Sequence, residues 1–276
     1  MRYTRALVVA ATAALAVTGL AACGGGKTAS ASGQAASVPM VSVADAMSAT
    51  NQATQKYTSV SMKMDEHITA DGKTADVTGN GHISWKPVGL DMTMTMPATG
   101  GVAGGTMHMM MSGTTMYMGM SGKAAFQGKH WMKMDLSKDA AIADSLNKSS
   151  GQDPATQLKL FTSSGDIKRV GTETVDGVST THYSGTVDFA KLATEQDPSL
   201  KSLVQQDSKL GVSSMKVDLW VNGQNLPVRM VEATPASSTM SLNATIDYTD
   251  YGTTPVTVTP PPAGDTLDMS SLVPSS

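Results

Sequence analysis

Residues 90–120, LDMTMTMPATGGVAGGTMHMMMSGTTMYMGM, hold ten of the chain's 21 methionines. A thioether is a soft ligand that selects Cu(I). It is also a flexible, polarizable apolar group that refits around varied partners, and it fills irregular cores. The 276-residue chain has only 12 Phe, Trp and Tyr, so another side chain must supply apolar volume. The spacing is informative. Met92, Met94 and Met96 recur at every second residue, as do Met107, Met109 and Met111, then Met116, Met118 and Met120; Met62 and Met64 do so upstream. On an extended chain such residues share a face, whereas a helix would need steps of three and four. These eleven side chains are the candidate ligand-contacting residues. Met110 breaks the parity and points the other way. For copper, same-face neighbours lie roughly 6.6 Å apart along a strand, so one ion needs donors from two strands or a loop. His108 and His130 are near in sequence, but His108 lies between Met107 and Met109 and faces away. No metal ligand set is assigned and no cofactor is expected.

The second reactive group is Cys23, the single cysteine. Arg2 and Arg5 form a positive start, residues 6–19 an uncharged apolar stretch, and Leu20-Ala21-Ala22-Cys23 closes it. This order resembles a bacterial lipoprotein signal, in which the cysteine takes a diacylglyceryl thioether and becomes the first mature residue. The alternative is an ordinary secreted chain whose cysteine happens to follow such a triplet. One cysteine makes no internal disulfide, and acylation removes an exposed thiol outside the cell. Each buried acyl methylene contributes roughly 0.8 kcal/mol, so two or more chains hold stably to a bilayer. The expected location is the extracytoplasmic face of the cell membrane. Loss of Arg2 and Arg5 leaves 18 basic against 23 acidic residues. With no basic patch, nucleic acid is not an expected partner.

Enzyme chemistry is not visible. The chain has no G-x-S-x-G, no phosphate-binding G-x-x-x-x-G-K-[ST] and no H-E-x-x-H. Its five histidines, at 67, 82, 108, 130 and 182, show no i, i+4 pair; His67 and His182 are expected on exposed strand faces. GGVAGG at 100–105 lacks the following Lys of a phosphate loop. Glu66 has the parity of Met62, Met64 and Ile68; it marks either a polar contact for a ligand headgroup or simply a strand end. Trp85, Trp131 and Trp220 read as packing residues.

The elements that must carry these groups follow from periodicity. GGGKTASASGQAASVP (24–39) is a flexible tether. Ser42 caps a helix with Val43, Ala46, Met47, Thr50 and Ala53 on one face. Alternation then runs through Val60–Ile68, Val77–Trp85, Leu90–Met96, Met107–Met111, Met116–Met120 and Met132–Met134, with turns at ADGK and SGTT. SKDAAIADSLN and PATQLKLFTS predict helices, as do FAKLATEQD and PSLKSLVQQDSKLG. Strands return around Asp176-Gly177 and Asn222-Gly223 turns, then in STMSLNATIDYTDYG. From about residue 255 the chain, with Pro260–Pro262, is extended coil. The class is α+β, with one large curved antiparallel sheet, apolar on one face. The organisation is a signal peptide (1–22), a lipidated tether (23–40) and a single domain (41–276), expected to be monomeric.

VDGVSTTHYSGTVDFAKL (175–192), DLWVNGQNLPVRM (218–230) and IDYTDYGTTPVTVTPPPAGD (246–265), with the cysteine signal, tether and early helix, resemble the actinobacterial LppX, LprA, LprF and LprG lipoproteins, which share the LolA-like fold. The resemblance covers the C-terminal third well and the Met-rich half in pattern. It implies a half-barrel sheet packed over a few helices around an apolar cavity that takes acyl chains. The Met-rich strands depart from the usual Val, Leu and Ile lining. The readings of function are therefore a lipid or other apolar ligand held at the membrane surface; a Cu(I)-binding exported protein; and a structural or signalling lipoprotein with no ligand.

Overall fold

In the computed structural model the described residues are 42–70, 72–98, 104–122, 126–138, 158, 162, 166–192, 213–235 and 240–269. The chain enters through α1 (Val43–Thr54). Ser42 Oγ accepts the Asp45 N–H at 3.1 Å, which satisfies one of the free first-turn donors. Asp45 adds a negative charge where the helix dipole favours it. Met47, Thr50, Ala53 and Thr54 form the buried stripe. Two buried hydroxyls there cost little: Thr50 Oγ1 donates to Ala46 O at 3.0 Å and Thr54 Oγ1 to Thr50 O at 2.9 Å.

Two meanders follow. The first runs β1 (Ser59–Ala70), β2 (Lys73–Trp85), β3 (Val88–Met96), β4 (Gly105–Ser112), β5 (Thr115–Met120) and β6 (Trp131–Asp135). The second runs β7 (Lys168–Val175), β8 (Val178–Asp188), the short α2 (Phe189–Leu192), β9 (Ser214–Asn222), β10 (Pro227–Ala233) and β11 (Met240–Gly252). β11 pairs with β1, so the meanders join into one open sheet of twelve strands, ordered β12-β6-β5-β4-β3-β2-β1-β11-β10-β9-β8-β7. Every pairing is antiparallel except that of β12 (Thr266–Asp268), which lies parallel to β6. The opposite edge, β7, carries Lys168, Arg169 and Glu173, and edge charges discourage pairing with another chain.

Alternation gives the sheet two chemically distinct faces. On one, α1 packs against the seam and the second meander: Met47 joins Val60, Tyr183, Val187, Val217, Leu219, Met230 and Tyr248 in the main core. Leu158, helical and 5% exposed, belongs to this cluster; of the two middle helices expected from SKDAAIADSLN and PATQLKLFTS, Ser137 and Lys138 end a 3-10 turn (Leu136–Lys138) and Thr162 is helical, and the rest lies outside the described residues. So do most of the later two, of which α2 is described. We call this the helix side.

The opposite face is not simply polar. The extended tail reaches β12 by crossing it: Val256 N donates to Ser84 Oγ at 3.1 Å, and Asp265 accepts from the His130 backbone N–H at 3.0 Å. Lys129 Nζ donates to Gly264 O, and Lys133 Nζ to Asp268 at 2.9 Å. Met110 is 6% exposed on this face, opposite Asp91 and Tyr117. His182 also departs from expectation. His67 is exposed, but the His182 ring is almost covered: Nδ1 lies 2.9 Å from Glu173 Oε1, Nε2 lies 2.9 Å from Asp218 Oδ1, and Trp220 stacks on it at 4.2 Å. Trp220 Nε1 donates to Glu173 at 2.9 Å, so this tryptophan serves a polar cluster while Trp85 sits in the core.

Candidate ligand-contacting face

Strand register decides how the methionines meet. Met92 pairs with Met109, and Met94 with Met107. Met107 pairs with Met120, Met109 with Met118, and Met111 with Met116. On β6, Met132 and Met134 continue the rows opposite Met118 and Met116. Met109 is therefore the centre of a three-by-three block in which seven of the eight surrounding positions are methionine and the eighth is Leu90. Directly paired residues are about 4.5–5.5 Å apart at Cα, so the thioethers form a contiguous ladder. All eleven candidates have the helix-side parity.

Glycines extend the ladder inward. Met64 pairs with Gly79, which pairs with Met94; Met62 pairs with Gly81, which pairs with Met92. The Cβ position of Gly79 lies 3.4 Å from both Met64 Cε and Met94 Cγ, so these two side chains flank β2 from either side. At Gly81 a Cβ would fall 2.2 Å from the Asp91 carbonyl oxygen, which only glycine permits.

Burial grades across the block. Met64 (9%), Met92 (6%) and Met111 (8%) are packed. Met62, Met94, Met96, Met107, Met109, Met116, Met118 and Met120 are half-buried. Of the eleven, Met62 packs against the main core cluster, and Met94, Met109 and Met118 are not in it. The block is thus an oily surface beside the core and continuous with it.

Glu66 lies on this same face, between Val77 and Ala244, and Glu232 occupies the far side of Ala244. Burial pushes the Glu66 carboxyl above its ordinary range. A raised carboxyl penalises the folded state once ionised: its favourable contribution is complete below the unfolded pKa near 4.5 and is lost as pH rises through the folded value. Glu66→Gln is therefore expected to stabilise the protein at pH 7, by no more than about 0.5 kcal/mol for a half-exposed group, and to have no effect below pH 4.5. Urea denaturation at the two pH values checks this.

The nearby histidines serve the other face. His108 Nε2 is 2.6 Å from Asp91 Oδ1, with its ring edge-on to Trp131 at 5.5 Å. His130 bonds Asp265. Neither aims at the thioethers. A cavity of about 270 Å³ lies on that face too, where Ser61, His82, Asp91 and Asp250 meet residues Thr254–Thr257 of the tail. Sequence reading missed it because the tail's crossing is a long-range contact with no local signal. No group of three or more His, Cys, Asp or Glu placed to hold a metal occurs among the described residues. No described helix is long and apolar enough to cross a membrane.

A family described as of unknown function (DUF6612) matches residues 42–222. An uncharacterized 31.2 kDa protein of Streptomyces griseus, from the rplA–rplJ intergenic region, is 32% identical over 253 residues, covering 84% of this chain and 82% of its own length. A Streptomyces coelicolor protein named "Putative lipoprotein" is 31% identical over 252 residues, with coverages of 84% and 77%. Among solved structures, LprF from Mycobacterium bovis has 17% identity and a TM-score of 0.47, over 78% of this chain and 95% of LprF. LppX from Mycobacterium tuberculosis has 17% identity and a TM-score of 0.46, over 79% and 100%. Both are among the lipoproteins that the sequence resembles.

Proposed function

The chain belongs to the DUF6612 family, and we propose that it is an exported, lipid-anchored protein that holds an apolar or amphipathic ligand, a lipid by its chemistry, on the thioether face. The observation that carries this reading is the ladder itself: eight half-buried methionines contiguous in register with three that are buried. A half-buried apolar surface of this extent is costly unless covered, and thioethers refit around chains of different length. Glu66, on the same face, suits a polar headgroup at the margin.

The rest follows from the sequence. Residues 1–22 direct export and are removed. Cys23 is acylated, a reading supported by the lipoprotein name of the S. coelicolor relative. Residues 23–40 are a tether, and 41–276 form one ligand-binding domain, a half-barrel around an apolar cavity, with the chain from about 255 as an extended tail. The protein acts as a monomer and without catalysis: acyl chains leave the bilayer, enter beside the methionines, and pass on by exchange.

Native mass spectrometry of the protein purified without detergent tests this. The expected result is a mass increment of hundreds of daltons that organic solvent extracts, together with a diacylglyceryl adduct on the peptide that begins at Cys23. A wild-type protein carrying no extractable increment, and taking none from lipid vesicles, overturns the lipid reading; a small increment restored by Cu(I) then favours a metal-binding protein, and no increment at all a structural or signalling lipoprotein.

A further inference from the structure

We propose that Met107, Met109, Met118 and Met120, two adjacent cross-strand pairs of the β4–β5 hairpin, form a site for a soft monovalent cation, Cu(I) or Ag(I). The inference does not require a lipid, and a lipid held on this face competes with the ion for the same four side chains. Its basis is register. Met107 faces Met120 and Met109 faces Met118. Paired Cα atoms are about 5 Å apart and same-face neighbours along each strand about 6.6 Å. The four Cα atoms therefore mark a rectangle whose centre is roughly 4 Å from each corner. A methionine has three rotatable side-chain bonds and reaches such a centre from any corner. The difficulty seen along a single strand, where neighbours are too far apart for one ion, disappears when donors come from two strands.

The hairpin fixes this rectangle locally. β4 and β5 are joined by the two residues Gly113 and Thr114, with Gly113 at φ +56°. A two-residue connection sets register, and a one-residue slip would send all four sulfurs to the other face. The four side chains are half-buried, so an ion can enter from solution. Register gives three other such rectangles: the one on β3–β4 includes the packed Met92, the one nearer the turn includes the packed Met111, and that of Met116, Met118, Met132 and Met134 depends on β6, which no short turn ties to β5.

The donor set chooses the ion. Four thioethers are soft and uncharged, a set that suits Cu(I) and not Zn(II) or Cu(II), which take imidazole and carboxylate. Asp91 and Asp135 have the opposite strand parity and leave the rectangle neutral. With no anionic ligand to offset charge, a monovalent ion is held at lower desolvation cost than a divalent one.

The test uses the full chain with Cys23→Ser, so that no thiol competes. Ag(I), and Cu(I) presented anaerobically against a competing chelator, are titrated while the methyl-¹³C signals of methionine are followed. The signals of Met107, Met109, Met118 and Met120 are expected to move, and those of the packed Met47, Met215 and Met230 and of Met110 on the other face to stay. Met109→Leu with Met118→Leu keeps apolar volume and is expected to weaken Ag(I) binding at least tenfold. Zn(II) is expected to bind neither protein. The proposal is overturned if the unsubstituted rectangle takes neither ion, if the moving signals belong to other methionines, or if a folded leucine variant binds Ag(I) as tightly.

Discussion

Met94→Asp, Met109→Asp and Met118→Asp together are expected to abolish retention of an apolar ligand while the protein stays folded. The three residues lie on adjacent strands, with Met109 directly opposite Met118 and diagonal to Met94. Each of these methionines is already half-buried, so a ligand that covers the remainder contributes about half of the roughly 1.5–3 kcal/mol of full burial. Each aspartate removes that contribution and adds a carboxylate that loses water on contact. Even the lower figure, halved and summed over three positions, is about 2 kcal/mol, a loss of affinity of roughly thirtyfold or more before the desolvation of three carboxylates adds to it. Folding is expected to survive because all three side chains are half-buried and outside the main core cluster. The charge-matched control is Thr78→Asp, Thr95→Asp and Ser112→Asp, three exposed positions on the opposite face. Extractable lipid per mole of protein is the readout. Retention by the methionine variant at the control's level would show that these side chains do not touch the ligand.

Gly81→Ala is expected to destabilise the protein by 3 kcal/mol or more, about the upper end for an inserted methyl. The added carbon would fall 2.2 Å from the Asp91 carbonyl oxygen and 2.6 Å from Met92 Cα. Both are backbone atoms of a paired strand, so neither yields by changing rotamer; β2 and β3 must separate where Gly81 pairs with Met92. Gly171→Ala on edge strand β7 is the control: no atom lies within 4 Å of its Cβ position, and the expected change is within about 0.5 kcal/mol. Urea denaturation compares the two. Equal midpoints would mean that the close approach of β2 and β3 is not needed for stability.

The parts of the fold legible in the sequence are those with local causes. Ser42 before an apolar 3.6-residue stripe specified α1, because a cap and a period need only neighbours. Asp176 and Gly177, at φ +48° and +82°, specified the β7–β8 hairpin. Asn222-Gly223 misled on detail. The loop runs to Leu226, with Asn222 Oδ1 accepting from the Gln224 and Leu226 N–H groups and Asn225, not Gly223, taking the left-handed conformation at φ +61°. An asparagine side chain can organise a longer turn as well as a two-residue one, and the dipeptide does not say which.

Strand parity, read from alternate residues, placed all eleven methionines on one face, because the two-residue repeat is intrinsic to an extended chain. It also sent Met110 and His108 to the other. What parity left open was whether Met109 would meet Met118 or a different residue, and whether a thioether on that face would be packed, as Met92 is, or half-open, as Met94 is. Nor could it show that the tail would cross the far face to reach β6, that Met110 would be buried on that face, or that His182 would be enclosed by Glu173, Asp218 and Trp220. Register, strand order and the tail's route join residues tens to hundreds of positions apart, and burial is the sum of such contacts. The sequence fixes which way each side chain points; only the folded sheet decides what it points at.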